Sequence, residues 1–296
     1  MGRKKKALVE RMLAGEFVVS VQIDPPDKEE VADFKAKLKA LKNAGVKLLD
    51  INSSRRISDD SIHLAAEIRR MGFEVIPHVT TRDSSINGLL NQIRAAARWN
   101  KVENFLIITG DPYEPEKAIF PSKGVFQADA VGALELLNKY LRKCDEGDLR
   151  VNFAAAVNHN EPDISLEGER LIQKQINGTD FFMSQPVFCE SEAKKLFGFY
   201  NAYSTRPLMM GIWPLVSKRT ILAIKRGNIV GVVLSDEVYS EAEPFLDDEE
   251  ALTDWGLGKA QKLIELIRHE GYAQGVYIVA PSRNPLLLLD ILPKIL

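Results

Sequence analysis

The feature that most constrains the fold is an alternation, along the whole chain, between short apolar runs and longer amphipathic stretches. The runs are rich in β-branched residues, as strands are, and the stretches carry apolar residues three and four positions apart, as helices with one buried face do. The predicted strands span residues 17–23, 46–51, 74–79, 105–109, 151–156, 180–184, 207–212 and 275–280. The predicted crossover helices span residues 29–43, 59–71, 86–99, 128–142, 165–177, 190–200 and 217–226.

Strands that are separated by single helices pair in parallel, because only a crossover returns the chain to the same edge of a sheet. Eight such units within 296 residues are what one closed α/β barrel requires. An open doubly wound sheet is the alternative, but no G-x-G-x-x-G motif follows the first predicted strand. We therefore predict a single (β/α)8 TIM barrel over residues 1–296, with an extra helical segment before the last strand.

Charge and hydropathy exclude several classes of function. The chain has 39 Lys and Arg against 41 Asp and Glu, a net charge of −2, which gives no overall field to attract nucleic acid. No apolar stretch reaches the roughly 18 residues that a membrane span needs. His78 has no second histidine or carboxylate at metal-ligand spacing, so we predict no metal site. We expect a cytoplasmic protein that binds neither nucleic acid nor membrane.

Polar residues follow most of the predicted strands, at the end where parallel barrels build their active sites. Each one alone is equally compatible with a helix cap or a turn. Together, with few charges among them, they indicate a site for a neutral heteroaromatic ligand. These residues are Gln22, Asp24, Asp50, Asn52, Ser53, His78, Thr80, Thr109, Gly110, Asp111, Asn158, His159, Asn160, Gln185, Ser282 and Arg283.

Two cations lie on the predicted helix at 165–177. Arg170 and Lys174 are four residues apart, which places them on one face of that helix. They are spaced to hold a diphosphate, or else they form an ordinary exposed face paired with Glu167 or Glu169. Spacing alone leaves both interpretations open.

Six short segments, in this order, resemble methylenetetrahydrofolate reductase. They are VQIDPP at 21–26, PHVT at 77–80, TGDP at 109–112, SQPVF at 184–188, GIWPL at 211–215 and LSDE at 234–237. The resemblance covers nearly the whole chain. It is strongest to the reductase half of bifunctional proteins that combine homocysteine S-methyltransferase with methylenetetrahydrofolate reductase.

The resemblance implies a barrel that binds FAD, takes hydride from NADH or NADPH, and reduces 5,10-methylenetetrahydrofolate to 5-methyltetrahydrofolate. It places Asp111 near both flavin and folate, and Gln185 against the folate or the nicotinamide. Arg283 is expected on the folate side, and Arg170 and Lys174 at the phosphates. The residues implied to line the flavin are Asp50, Asn52, His78, Thr109, Gly110 and Asp111.

Gln22 departs from the family pattern, which has a catalytic glutamate at this position. By the resemblance, that glutamate protonates the folate so that its five-membered ring opens. An amide keeps the shape and hydrogen bonding of the glutamate, but it has no proton to give. Asp24, two residues on and on the same strand face, is the nearest carboxyl group, although the resemblance places it outside the acid's position.

Three functions therefore stay open at this point. The first is methylenetetrahydrofolate reduction with a rearranged acid. The second is a catalytically silent flavin- or folate-binding protein that acts with a partner methyltransferase subunit, and the third is a flavin reductase without folate turnover. A homo-oligomer would be ordinary for such a barrel, and no motif in the sequence discriminates between NADH and NADPH.

Overall fold

Eight parallel strands form the centre of the molecule. The computed structural model describes residues 7–55, 57–113, 123–143 and 149–296. Its strands are β1 (Val18–Ile23), β2 (Leu48–Ile51), β3 (Glu74–Thr80), β4 (Asn104–Ile108), β5 (Asn152–Val157), β6 (Phe181–Val187), β7 (Leu208–Ile212) and β8 (Gly275–Val279). They pair in sequence order, and β8 closes the barrel on β1. The predicted (β/α)8 barrel is confirmed.

Helices surround the barrel and cover its amino-terminal end. They are α1 (Leu8–Leu13), α2 (Val31–Asn43), α3 (Ser61–Arg70), α4 (Ile86–Asn100), α5 (Ala130–Leu137), α6 (Ile164–Ile176), α7 (Glu190–Tyr203), α8 (Lys218–Lys225), α9 (Asp236–Ala242), α10 (Glu249–Glu270) and α11 (Leu292–Ile295). A π-helical turn, Asn138–Lys143, continues α5. None of the described helices is long and apolar enough to cross a membrane.

Helix starts are fixed by local side chains. Asp60 accepts a hydrogen bond from the backbone N–H of His63 at 2.8 Å, and Asp129 accepts one from Gly132 at 2.9 Å. Such caps satisfy N–H groups that have no partner within the helix. At the other end, Gly271 closes α10 in the left-handed conformation, with φ of 68°.

The core has three parts. The largest lies between the strands and the surrounding helices, and a second fills the barrel interior. In that interior Leu8 and Met12 of α1 pack with Val18 and Leu48, the first residues of β1 and β2. Helix α1, which the sequence pattern did not reveal, therefore plugs the amino-terminal end of the barrel.

The third part of the core lies under the extra helical segment before β8. Helices α9 and α10 belong to this segment, and Val238 and Leu252 from them pack with Phe188 and Leu215, which follow β6 and β7. Burying each such side chain contributes roughly 1.5–3 kcal/mol. The segment is thereby fixed beside the carboxyl-terminal ends of these strands.

Candidate active site

A cavity of about 420 Å³ opens at the carboxyl-terminal ends of the strands, where parallel barrels carry their active sites. Apolar side chains such as Ile108, Met183 and Val279 form much of its wall. Amides and few charges among apolar walls suit a flat, neutral heteroaromatic ligand. The lining brings together seven of the residues identified from the strand ends: Gln22, Asp24, Asn52, His78, Gln185, Ser282 and Arg283.

Asp24 is the centre of a polar network at one edge of the cavity. Its Oδ1 accepts a hydrogen bond from Asn52 Nδ2 at 2.7 Å, and its Oδ2 accepts one from Arg283 Nε at 3.2 Å. Arg283 also donates to Asp27 at 3.2 Å, which lowers the pKa of Asp27. Both oxygens of Asp24 thus accept a hydrogen bond.

The backbone that carries the Arg283 side chain to this network is strained. Ser282 and Arg283 have φ of 49° and 60°, in the left-handed region that costs side-chain-bearing residues about 1–3 kcal/mol each. Burial alone would lower the pKa of Arg283, but Asp24 and Asp27 raise it. The two carboxylates therefore hold the guanidinium at the rim of the cavity.

Asp50 lies fully buried beneath the cavity wall. Ser20 Oγ donates to its Oδ1 at 2.6 Å, while its Oδ2 lies 3.4 Å from His78 Nε2. Asp50 is 0% exposed and His78 6%. Neither Asp50 Oδ2 nor His78 Nε2 has a hydrogen-bond partner among the described residues. A buried carboxylate and an imidazole thus face each other with unsatisfied atoms, and the imidazole lines the cavity.

Tyr277 of β8 also lines the cavity and approaches this pair from the opposite side of β1. Burial raises the pKa of its phenol, and the negative charge of Asp50 raises it further. The hydroxyl donates to the backbone carbonyl of Ser184. A Cβ at position 211 would lie 2.6 Å from this hydroxyl, so Gly211 on β7 makes room for the ring.

Gln185 enters the cavity from β6. The register between β6 and β7 shifts between Met183 and Pro186, and such irregularities re-aim side chains near active sites. Gly231, with φ of +74°, packs against it, and a Cβ there would lie 2.7 Å from Gln185 Nε2. Asn160 holds that loop by donating to the Gly231 carbonyl at 3.0 Å.

The residues after β4 lie outside the cavity lining. Thr109 Oγ1 accepts a hydrogen bond from Ala130 N at 3.0 Å, at the start of α5. Gly110 has φ of +81°, and a Cβ there would lie 3.1 Å from Thr80. The side chain of Asp111 is exposed. The segment thus follows Ile108, which lines the cavity, but does not itself belong to the lining.

Arg82 joins the loops that follow β2, β3 and β4, and strand-end reasoning missed it. Its guanidinium is 2% exposed and binds Asp83 through two hydrogen bonds, at 2.8 and 2.7 Å. It also donates to the carbonyls of Ser54 and Asp111, at 3.1 and 3.3 Å. The signal in the sequence is the charged pair Arg82-Asp83, which begins two residues beyond Thr80.

Asp83 completes this cluster. Burial alone would raise its pKa, but hydrogen bonds from Arg82, Tyr113 and Thr80 lower it. The Tyr113 hydroxyl donates at 2.6 Å, and Thr80 Oγ1 donates at 2.7 Å. Arg82 therefore holds the backbone on both sides of Gly110, because its backbone N–H donates to the Thr109 carbonyl at 3.1 Å and its guanidinium to the Asp111 carbonyl.

Arg170 and Lys174 have different environments on α6. Lys174 is 8% exposed, and its ammonium donates to the Ala156 carbonyl at 2.7 Å and to Glu167 at 3.3 Å. Arg170 is exposed and pairs with Glu161 at 3.2 Å and Glu167 at 3.8 Å. Neither lines the cavity. Both pair with Glu167, as one of the two interpretations expected, but Lys174 is buried and does not belong to an exposed face.

His159 is the remaining buried histidine near the strand ends. Burial, together with the positive charge of Lys195, lowers its pKa to about 4. Its Nδ1 has no hydrogen-bond partner in the described part of the chain. No group of three or more metal-ligating side chains occurs within the described ranges.

Comparison with known proteins identifies the family of the chain. The family model of methylenetetrahydrofolate reductase matches residues 7–291. Among curated proteins, none matches the chain significantly.

Solved structures share the fold over nearly the whole chain. One is an uncharacterized protein from Clostridium thermocellum that binds two copies of 5-methyl-5,6,7,8-tetrahydrofolic acid, with 13% identity, a TM-score of 0.67 and 97% of each chain covered. Another is the coenzyme F420 dependent tetrahydromethanopterin reductase from Methanopyrus kandleri, with 9% identity and a TM-score of 0.58. That match covers 95% of this chain and 100% of the other. At these identities the likeness shows a shared fold.

Proposed function

Because the chain belongs to the methylenetetrahydrofolate reductase family, we propose that it reduces 5,10-methylenetetrahydrofolate to 5-methyltetrahydrofolate, with FAD as cofactor and NADH or NADPH as hydride donor. The observation that carries the proposal is the cavity at the strand ends, whose wall contains Gln22, Asn52, His78 and Gln185. The Clostridium thermocellum protein of the same fold, which binds 5-methyltetrahydrofolate, supports a folate ligand.

The residues at the cavity fit the ring system of a flavin. Its walls are apolar, and Asn52 and His78 provide polar atoms that can meet ring carbonyl and N–H groups. When bound, FAD would supply the hydride transfer. In this proposal Asn52 and His78 meet the flavin from the cavity wall, Asp50 supports the flavin site from behind His78, and Thr109, Gly110 and Asp111 approach the flavin from the loop after β4.

The phosphate side fits less completely. Lys174 is already bound to a backbone carbonyl and to Glu167. Arg170 is open to solvent, and exposed ion pairs contribute only about 0–1 kcal/mol, so a phosphate can replace Glu161 as its partner. We assign Arg170 the larger share of any diphosphate contact.

The folate would contact Gln22, Asp111, Gln185 and Arg283. Gln185 projects from the register shift in β6 and can hydrogen-bond a ring that carries both donors and acceptors. Arg283 provides a cation at the rim for a carboxylate. Asp111 would have to turn inward from its exposed position.

A second function is favoured by the acid position. Gln22 has no transferable proton, and both oxygens of Asp24 are engaged. These two observations favour a folate- or flavin-binding protein without methylene reduction, working as a homo-oligomer or with a partner methyltransferase subunit. A flavin reductase without folate turnover has the same support.

An anaerobic reduction experiment separates these functions. The purified protein is loaded with FAD and reduced by NADH or NADPH, then mixed with 5,10-methylenetetrahydrofolate, while flavin absorbance and 5-methyltetrahydrofolate are followed. Reoxidation with product formation supports the reductase. The other outcome is a flavin that is reduced but not reoxidised by the folate. If Gln22→Glu restores this reoxidation and the exposed control Gln92→Glu does not, the result supports the second function.

A further inference from the structure

The buried residues Asp50 and His78 are arranged as a carboxylate beside an imidazole that could donate a proton. His78 Nε2 lies 3.4 Å from Asp50 Oδ2, and both atoms are without a hydrogen-bond partner among the described residues. Ser20 occupies the other carboxylate oxygen at 2.6 Å. A carboxylate in such a place stabilises positive charge on the neighbouring ring and fixes its orientation.

The pair lies close to the position that lost its acid. Gln22 on β1 is in register with Asp50 on β2, and Asp50 is in register with Ile76 on β3. His78 is two residues beyond Ile76, so it projects to the same side of the sheet. Gln22 and His78 line the same cavity. The amide of Gln22 cannot give a proton, whereas the imidazole of His78 can carry one.

We propose that His78, supported by Asp50, supplies the proton that Gln22 cannot. The inference rests on the proposed folate reduction. With Nε2 facing Asp50, protonated His78 gives its Nδ1 proton to N10 of 5,10-methylenetetrahydrofolate, and the electron pair of the bond between N10 and the methylene carbon stays on N10. The resulting N5 iminium accepts the hydride that originates from NADH or NADPH. Neutral His78 then regains a proton from solvent, so one hydride and one proton are consumed per product.

Asp50 acts through His78 and is a positioning residue. A charged imidazole in a low-dielectric site is unfavourable unless an opposite charge lies nearby. Asp50 is the fully buried carboxylate next to the ring. Tyr277, whose hydroxyl is committed to the Ser184 carbonyl, leaves Asp50 Oδ2 free for His78.

The test uses rescue between the two positions. His78→Asn and Asp50→Asn are prepared alone and combined with Gln22→Glu, with the exposed histidine variant His63→Asn as control. Each FAD-loaded protein is assayed for flavin reduction by NADH or NADPH, for 5-methyltetrahydrofolate formation, and for binding of 5-methyltetrahydrofolate by titration calorimetry. Circular dichroism and thermal melting report whether each variant is folded.

At equal FAD content, we expect His78→Asn and Asp50→Asn to bind 5-methyltetrahydrofolate and accept hydride, because asparagine keeps a hydrogen-bonding group at each position, but to form product about 10²–10⁴-fold more slowly. Gln22→Glu should restore product formation in both. If folded His78→Asn forms 5-methyltetrahydrofolate at the wild-type rate, the inference is overturned and the proposed function stays intact. Loss that Gln22→Glu does not restore also overturns it, because the residues then serve another purpose. A wild type that reduces flavin but forms no product overturns both proposals.

Discussion

The buried ion pair on α6 gives a quantitative test of how Lys174 is used. Glu167 is 2% and Lys174 8% exposed, and their charged atoms lie 3.3 Å apart. Glu167 also accepts the backbone N–H of Asn158 at 3.0 Å. Glu167→Gln keeps an oxygen for that N–H but removes the charge. Breaking a buried pair from one side costs about 3–5 kcal/mol, and we expect the lower end of this range.

The pH dependence of the loss has a definite sign. Burial lowers the pKa of Lys174 in the folded protein, although Glu167 opposes the shift. The unfolded chain therefore holds the Lys174 proton more firmly, and folding becomes more favourable as pH rises from the lowered pKa toward 10.5. Without Glu167 the pKa falls further. The difference in unfolding free energy between wild type and Glu167→Gln should then shrink from neutral to alkaline pH.

Urea denaturation at neutral and alkaline pH measures both effects. The matched control is Glu169→Gln on the exposed side of the same helix, which should stay within about 0.5 kcal/mol of wild type. The double variant Glu167→Gln, Lys174→Met should lose less than the sum of its single changes. Equal losses for Glu167→Gln and Glu169→Gln would refute the assignment of Lys174 to a stabilising buried pair.

Two glycines and one histidine give further tests. Gly110→Ala should lower the melting temperature, because its φ of +81° and the 3.1 Å approach to Thr80 disfavour a Cβ, and an unchanged melting curve would contradict this. Gly231→Ala should weaken 5-methyltetrahydrofolate binding by displacing Gln185, because the new Cβ would lie 2.7 Å from Gln185 Nε2. An unchanged affinity in calorimetry would exclude this role of Gln185. His159 should titrate near pH 4 by NMR because burial lowers its pKa. The unfolded chain then binds the proton more firmly, so the contribution of His159 to the free energy of unfolding falls as pH drops from about 6.5 toward 4. A His159 that titrates near its ordinary value would show that the ring is not buried.

Periodicity identified the barrel because strand and helix patterns are local properties of a sequence. All eight strands were predicted from apolar runs, and their bounds differ by a few residues at most from those observed. Helix α1 escaped because its two buried residues, Leu8 and Met12, form too short a pattern to stand out. Its position depends on the barrel interior that it covers, which no local pattern describes.

The candidate site was recoverable in part. Strand ends meet at one mouth of a parallel barrel, so Gln22, Asn52, His78 and Gln185 could be grouped from the sequence alone. Arg82 was missed because its role is to join loops from three strands, and such bridging depends on tertiary neighbours.

The sequence by itself determined the barrel, its strand order and the family, because these follow from alternating patterns and from motifs in a fixed order. Tertiary structure alone decided which charges are engaged. Spacing in the sequence did not show that Asp24 binds Arg283 or that Lys174 binds the Ala156 carbonyl, because these partners come from distant elements. The same folding placed Asp50 against His78, since packing across strands creates low-dielectric contacts that spacing along a chain cannot specify.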